Sequence, residues 1–163
     1  MRIHDDVRYA GSPLDVAAML ADPGFSDQVS ARMGSTAATV DVRGEPAAAF
    51  TVTTVRTLPT DGFPDIARRF VGDSVDVRQV DDWSAPAGDG TRSGSITVEI
   101  VGAPLRLTGT MTLTPDGNGT RQSFDGDLRA GVPLIGGKLE QAAEPAIHAA
   151  IRQQIAAGTD WFG

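Results

Sequence analysis

Two carboxylates able to transfer protons stand side by side near the start of the chain, where Asp6 follows Asp5. Neighbours in a strand point to opposite faces, so these two cannot act on a substrate as a pair. Asp5 shares its face with Ile3 and Val7. A carboxylate among apolar side chains needs a partner, takes up a proton or faces a wet cavity. We therefore expect Asp5 to be a polar cavity residue, with a bulge or an arginine partner as the alternatives.

Two glutamines are further candidates for contact with a ligand. Gln79 has the strand parity of Val77 and Trp83, and Gln122 has that of Phe124. An amide placed among apolar side chains can orient the polar end of a ligand. The alternative is a position near the end of the sheet, where the amide reaches water.

No motif for nucleophilic, metal or nucleotide chemistry is complete. The chain has no cysteine, and its two histidines, His4 and His148, do not have the spacing of a zinc site. The Gly-Gly-Lys at 136–138 lacks the flanking residues of a phosphate loop, and no GxSxG elbow is present. We assign no catalytic residue, no metal and no cofactor.

The charge of the chain argues against several partner classes. The 163 residues include 14 basic and 21 acidic side chains, which give a net charge of −7. Nucleic-acid binding normally requires a basic surface. The N-terminus does not resemble a signal peptide, and no apolar stretch has the length of a membrane-spanning helix. We expect a single cytoplasmic domain over residues 1–163, without nucleic-acid binding or integral membrane association.

The hydrophobic periodicity predicts the elements that position these residues. An alternating strand at 2–10 precedes two short helices, the first capped by Ser12 and the second covering 25–33. Short alternating runs separated by turn residues then predict six more strands. These strands cover roughly 36–43, 47–57, 74–84, 91–101, 105–114 and 119–130.

The last predicted element is a long amphipathic helix that follows Gly136 and Gly137. Pro145 lies inside it and is expected to kink the helix without dividing it, because the apolar stripe resumes on the same face. Gly158 is expected to end the helix.

The inward-facing residues of these elements predict an apolar cavity between sheet and helix. Gly94, Gly109 and Gly126 share the inward parity and are expected to bend the sheet while leaving space. An empty pocket of about 300 Å³ would cost about 7 kcal/mol, so a large cavity must be wet, occupied or collapsed. The expected ligand-binding residues are Val77, Gln79, Trp83, Val98, Leu107, Met111, Gln122, Phe124, Ile147 and Ile151.

The connection from Pro59 to Gly72 is a candidate gate for this cavity. It contains Phe63, Ile66 and Phe70, whose spacing forms one apolar edge of a short helix. Static packing of the same three side chains is the alternative.

The order of elements and several short segments carry a family resemblance. The segments are Tyr9–Pro13, Asp22–Phe25, Leu58–Pro59, Phe70–Gly72, Trp83 and Val132–Glu140. The element order resembles the helix-grip fold, and the segments resemble one bacterial family of unknown function within the START-like (SRPBCC) superfamily of lipid-transfer and polyketide-cyclase-type proteins. The resemblance implies an α+β fold in which a curved antiparallel sheet of about seven strands surrounds a long C-terminal helix, with two short helices after the first strand.

Three functions are compatible with these features. Binding or carriage of a small hydrophobic or amphipathic ligand, lipid-like or polyketide-like, is favoured by the superfamily and by the apolar inward face. The second is a cyclase or hydratase that uses cavity acids, for which Asp5 is the candidate. The third is a protein-interaction module with a filled core. Carriage is preferred over catalysis, and no protein partner is indicated.

Overall fold

The computed structural model describes residues 1–163 and has four helices and seven strands. It confirms the predicted helix-grip fold, with two short helices after the first strand and a long helix at the C-terminus. The elements are β1 Arg2–Tyr9, α1 Pro13–Leu20, α2 Pro23–Arg32, β2 Ala37–Gly44, β3 Phe50–Pro59, α3 Asp65–Val71, β4 Ser74–Trp83, β5 Arg92–Ile100, β6 Leu105–Asp116, β7 Gly119–Ala130 and α4 Gly136–Phe162.

All seven strands form one antiparallel sheet in the order β1-β7-β6-β5-β4-β3-β2. The strands β2 to β7 are neighbours in chain order, and β7 then pairs with β1. The edges of the open sheet are therefore β1 and β2, and α1 and α2 connect them. The curved sheet leaves its concave face to α4.

Local sequence signals explain where α1 and α2 begin. Ser12 caps α1: its hydroxyl accepts the N–H of Asp15, whose carboxylate accepts the N–H of Ser12. Asp22 caps α2 by accepting the N–H of Gly24. These bonds satisfy N–H groups that a helix start leaves unpaired.

The main core lies beneath α1 and α2. Its 14 buried residues include Val16 and Met19 of α1, Phe25 of α2, and the stacked rings of Phe50 and Trp83. A second, smaller cluster contains only three buried residues. The half-buried side chains of Ile147 and Ile151 on α4 pack against it.

The helix α4 is longer than the sequence predicts. It passes through Pro145 as one helix, as expected, but it also continues through Gly158 to Phe162, so the predicted end at Gly158 is wrong. A Cβ atom at residue 158 would lie 2.5 Å from a ring carbon of Tyr9. Glycine is therefore required here for close packing of helix against ring and not for helix termination.

The inward glycines of the sheet do not leave the expected space. A Cβ atom at Gly94 would lie 2.8 Å from the Trp83 ring. Gly109 and Gly126 face each other across β6 and β7, and the ring of Phe124 lies against both. Aromatic side chains fill these positions, so the room for a cavity comes from elsewhere.

Candidate functional site

A cavity of about 620 Å³ separates the sheet from α4. Every strand except β2 contributes to its wall, together with α3, α4 and the loop between β5 and β6. Of its 36 lining residues, 25 are hydrophobic. The space arises because the part of α4 that faces it presents small side chains, including Ala143, Ala146 and Ala150.

Most residues expected to contact a ligand are part of this wall. Most of the strand residues in the wall alternate along the chain, because period-2 parity places them on the concave face. The residues brought together are Val77, Gln79, Val98, Leu107, Met111, Gln122, Phe124, Ile147 and Ile151, together with the polar candidate Asp5.

One expected wall residue and one expected gate residue lie outside the wall. Trp83 is 2% exposed and stacks on Phe50 in the main core, with ring centroids 6.5 Å apart, so its expected place in the wall is wrong. The parity of Trp83 is inward, but its position at the end of β4 directs it beneath α1 and α2. In the candidate gate, Phe63 and Phe70 line the cavity and Ile66 does not.

Asp5 is half-buried in the wall, where β1 pairs with β7 in continuous register and no arginine contacts the carboxylate. Its carboxylate accepts the backbone N–H of Asp6 at 2.8 Å. Tyr9, two inward positions along the same strand, is buried and also lines the cavity. Burial raises the pKa of the Tyr9 phenol, and the negative charge of Asp5 raises it further. The phenol is therefore a neutral hydrogen-bonding group at physiological pH.

A chain of polar side chains links α2 to β3 and β4 at another part of the wall. Arg56, only 4% exposed, donates from Nε to Ser30 Oγ at 2.7 Å and from Nη1 to Gln79 Oε1 at 3.2 Å. The Gln79 amide then donates to both oxygens of Asp81, at 3.1 and 2.9 Å. Because Gln79 lies between them, Arg56 and Asp81 do not form a direct ion pair.

Burial changes the protonation equilibria of both charged members of this chain. It raises the pKa of Asp81 to about 6, against the opposing effects of the Gln79 amide and the Arg56 charge. It also lowers the pKa of Arg56, while the Asp81 charge acts in the opposite direction. The guanidinium nevertheless stays protonated, since an arginine is charged in proteins at all ordinary pH values.

Sequence reasoning missed both Arg56 and Asp81. The signal was available, because alternate residues along β3 and β4 face inward. Arg56 shares the parity of Phe50 and Val52, and Asp81 shares that of Gln79. The polar chain was therefore predictable as a set of inward positions, although its hydrogen bonds were not.

Gln122 is the second glutamine that lines the cavity, and it differs from Gln79. Its side chain forms no hydrogen bond, its Oε1 is buried without a partner, and the residue is 8% exposed. Leaving a buried polar group unpaired costs about 1–3 kcal/mol. A donor on a bound molecule would remove that cost. No group of three or more His, Asp or Glu side chains is placed to hold a metal ion.

Comparison with known proteins identifies relatives of the chain. The uncharacterised protein Rv0481c of Mycobacterium tuberculosis H37Rv is 30% identical over 92 residues, which cover 55% of this chain and 52% of that protein. The chain thus spans about half the length of the curated relatives it matches. None of the helices is both long enough and apolar enough to cross a membrane.

Solved structures share the fold at low sequence identity. The di-domain ARO/CYC StfQ from the steffimycin biosynthetic pathway has a TM-score of 0.62 at 13% identity, over 99% of this chain and 50% of that one. The STAR-related lipid transfer protein of Xanthomonas axonopodis has a TM-score of 0.55 at 16% identity, over 94% and 85%. A family model described as a protein of unknown function, DUF2505, matches residues 5–162. The chain therefore belongs to the DUF2505 family, and its fold is START-like.

Proposed function

We propose that this protein binds and carries a small hydrophobic or amphipathic molecule in the cavity between the sheet and α4. The observation that carries the proposal is the apolar cavity of about 620 Å³, which is within the size range of pockets that hold small ligands. The names of two structural neighbours, a lipid transfer protein and an ARO/CYC of a biosynthetic pathway, support the same class of ligand.

The size of the cavity argues that it does not remain empty. At roughly 24 cal/mol per Å³, a dry void of this volume would cost about 15 kcal/mol, which equals or exceeds the net stability of a typical domain. Water needs two to four polar partners at each position, and the mainly hydrophobic wall supplies few. An apolar molecule is the better occupant over most of the surface.

The test compares two variants that add the same ring at different places. Ala143→Phe places the ring in the cavity, whereas Ala18→Phe places it on the exposed side of α1. Native mass spectrometry of gently purified wild type should show a bound small molecule, and the neutral probe N-phenyl-1-naphthylamine should bind. Ala143→Phe should weaken probe binding at least tenfold, and Ala18→Phe should not. Equal probe binding by both variants would contradict the proposal.

We further propose that the connection carrying α3 controls access to the cavity. Its contribution to the wall includes Phe63, Ala67, Phe70 and Val71, while α3 itself has no buried residue and no side-chain cap at its start. The base of the connection is closed, because Thr60 donates a hydrogen bond to the Gly72 carbonyl. A short, weakly packed helix on a fixed base is suited to local opening.

A cyclase or hydratase activity is the second candidate. The half-buried carboxylate of Asp5 on the cavity wall favours it, since an acid or base in an apolar pocket can transfer protons to a bound substrate. Loss of turnover in Asp5→Asn, with ligand binding retained, would support catalysis. The protein-interaction alternative requires a filled core, and the open cavity counts against it.

A further inference from the structure

Arg56 is a buried cation whose hydrogen-bonding capacity is only partly used. A guanidinium has five N–H donors. One on Nε binds Ser30 and one on Nη1 binds Gln79, while both on Nη2 have no protein acceptor. The residue is 4% exposed and lines the cavity, so what surface it retains is at the ligand space.

The positive charge of Arg56 also lacks a direct counter-charge. Both of its partners are neutral side chains, and Asp81 contacts it only through the amide of Gln79. Transfer of a charge from water into the protein costs several kcal/mol unless a partner compensates for it. An anionic oxygen compensates more strongly than a neutral one, since charge-assisted hydrogen bonds are roughly twice as strong.

A second buried arginine has a different environment in this protein. Arg92 is 1% exposed, lies over the Phe50 ring and donates to the backbone carbonyls of Pro46 and Ala48. It fastens the loop between β2 and β3 and is not part of the cavity wall. Its Nε is buried without a hydrogen-bond partner. Both buried arginines therefore keep unused donors, but only those of Arg56 lie at the cavity.

We infer that Arg56, held by Ser30 and Gln79, binds the anionic oxygen group of an amphipathic ligand, with a carboxylate as the best match, while the apolar wall holds the rest of the molecule. This inference rests on the proposed function and adds the chemical class of the ligand. The planar guanidinium matches two carboxylate oxygens, which gives the site both charge and geometric selectivity. The surrounding wall is mainly hydrophobic, as an alkyl or ring body requires.

The acidic surface of the protein does not prevent an anionic ligand group from binding at Arg56. The net charge of −7 repels anions at long range, but salt screens exposed charges beyond about 8 Å at physiological ionic strength. The interaction at Arg56 is short-range and partly shielded from water. Selectivity for an anion therefore depends on this one side chain and not on the overall field.

The experiment measures calorimetric binding of three probes with the same chain length, dodecanoate, 1-dodecanol and dodecylamine, all below micelle-forming concentrations. Wild type should bind dodecanoate at least tenfold more tightly than dodecanol, and dodecylamine most weakly. Arg56→Gln should remove the preference for the acid and leave dodecanol affinity within about threefold. The control Arg78→Gln removes one positive charge from an exposed residue of β4 and should preserve the preference.

The outcomes separate the two proposals. Equal affinity of wild type for dodecanoate and dodecanol would overturn the anion site and leave carriage of hydrophobic ligands standing. If none of the three probes binds, the proposed function itself fails and the anion site with it. The wild-type comparison does not require a variant, so it decides the question even if Arg56→Gln fails to fold.

Discussion

The two halves of the molecule, one along the first part of α4 and one along its C-terminal part, are packed differently. Beneath α1 and α2, 14 buried residues form a continuous core that includes the C-terminal part of α4 through Ala157. Beneath the first half of α4, the hydrophobic cluster contains only three buried residues, and half-buried aliphatic side chains pack around the cavity. The same sheet and the same helix thus provide one region that stabilises the fold and another that has room for a ligand.

Side-chain size along α4 explains the difference. In the packed half, Tyr9 lies against Gly158, and its ring is 6.1 Å from that of Phe162. In the cavity half, alanines at 143, 146 and 150 face a part of the sheet without large rings to meet them, apart from Phe124. Small helix residues therefore permit close contact in one half and leave space in the other.

The largest contrast should come from truncation of one residue in each half. Trp83→Ala removes a buried ring from the packed half and should lower the free energy of unfolding by about 3–5 kcal/mol. Ile147→Ala removes a half-buried side chain that already faces open space and should cost about 1 kcal/mol. Urea unfolding monitored by circular dichroism measures both. Equal losses would show that the cavity half is packed as tightly as the other.

A pH-dependent contrast should come from Asp81, whose pKa is raised to about 6 from an ordinary value of 3.8. Between these values the folded protein binds more protons at Asp81 than the unfolded chain does. Its contribution to stability is therefore greatest below pH 4 and is lost as the pH rises through 6, by at most about 3 kcal/mol. Asp81→Asn should remove this dependence, so the stability of wild type relative to the variant should fall between pH 4 and 7.5.

Asp82→Asn is the matched control for that measurement. Asp82 is exposed on the opposite side of β4 and accepts a hydrogen bond from Thr51 at 2.9 Å. The Asp82→Asn variant loses the same charge as Asp81→Asn but leaves the buried chain of Arg56, Gln79 and Asp81 intact. If Asp81→Asn and Asp82→Asn change the pH profile equally, Asp81 is not the group responsible.

The close contact in the packed half can be tested with a single methyl group. Gly158→Ala would place Cβ 2.5 Å from the Tyr9 ring and should cost about 1–3 kcal/mol, more than the gain in helix propensity. Gly137→Ala lies in the first turn of the same helix, where a Cβ meets no atom within 4 Å, and should be neutral or stabilising. Equal thermal shifts for the two variants would argue against the packing role of Gly158.

The smallest effect on stability should come from the proposed gate. Phe70 is 38% exposed, so Phe70→Ala should change the unfolding free energy by less than about 1 kcal/mol. Association and release of N-phenyl-1-naphthylamine, measured by stopped-flow fluorescence, should each become several-fold faster. The control Leu14→Ala truncates an exposed side chain of α1 outside the cavity wall and should leave both rates unchanged. Unchanged rates in Phe70→Ala would contradict the proposed gate, and static packing of Phe70 would be the remaining interpretation.

The order of elements was predictable from the sequence, whereas the identity of the cavity residues was predictable only in part. Alternation places Val77, Gln79 and Val98 on the concave face, and the structure brings them together there. Alternation does not say how far along the sheet the cavity extends, which is why Trp83 was misplaced. That boundary depends on where α1 and α2 cover the sheet, a tertiary contact without a periodic signal.

The glycines were misjudged for a related physical reason. A missing side chain in a strand indicates either space or the close approach of another group, and sequence alone does not distinguish the two. At Gly94 the group is the Trp83 ring, and at Gly158 it is Tyr9. Hydrogen-bond partners also require coordinates, so the unused donors of Arg56 became evident only once Ser30 and Gln79 were placed.

Pro145 leaves α4 continuous but makes the free energy of local opening differ along the helix. Pro145 has no N–H, so the carbonyl of Gln141 loses its helical partner at a point where the helix lines the cavity. The turns around it can therefore open at a lower free energy than the buried turn at Ala157. In amide hydrogen exchange, α4 would then consist of a fast-exchanging segment over the cavity and a slow segment over the core. A bound molecule would be exchanged through local fluctuations while the slow segment keeps the protein folded.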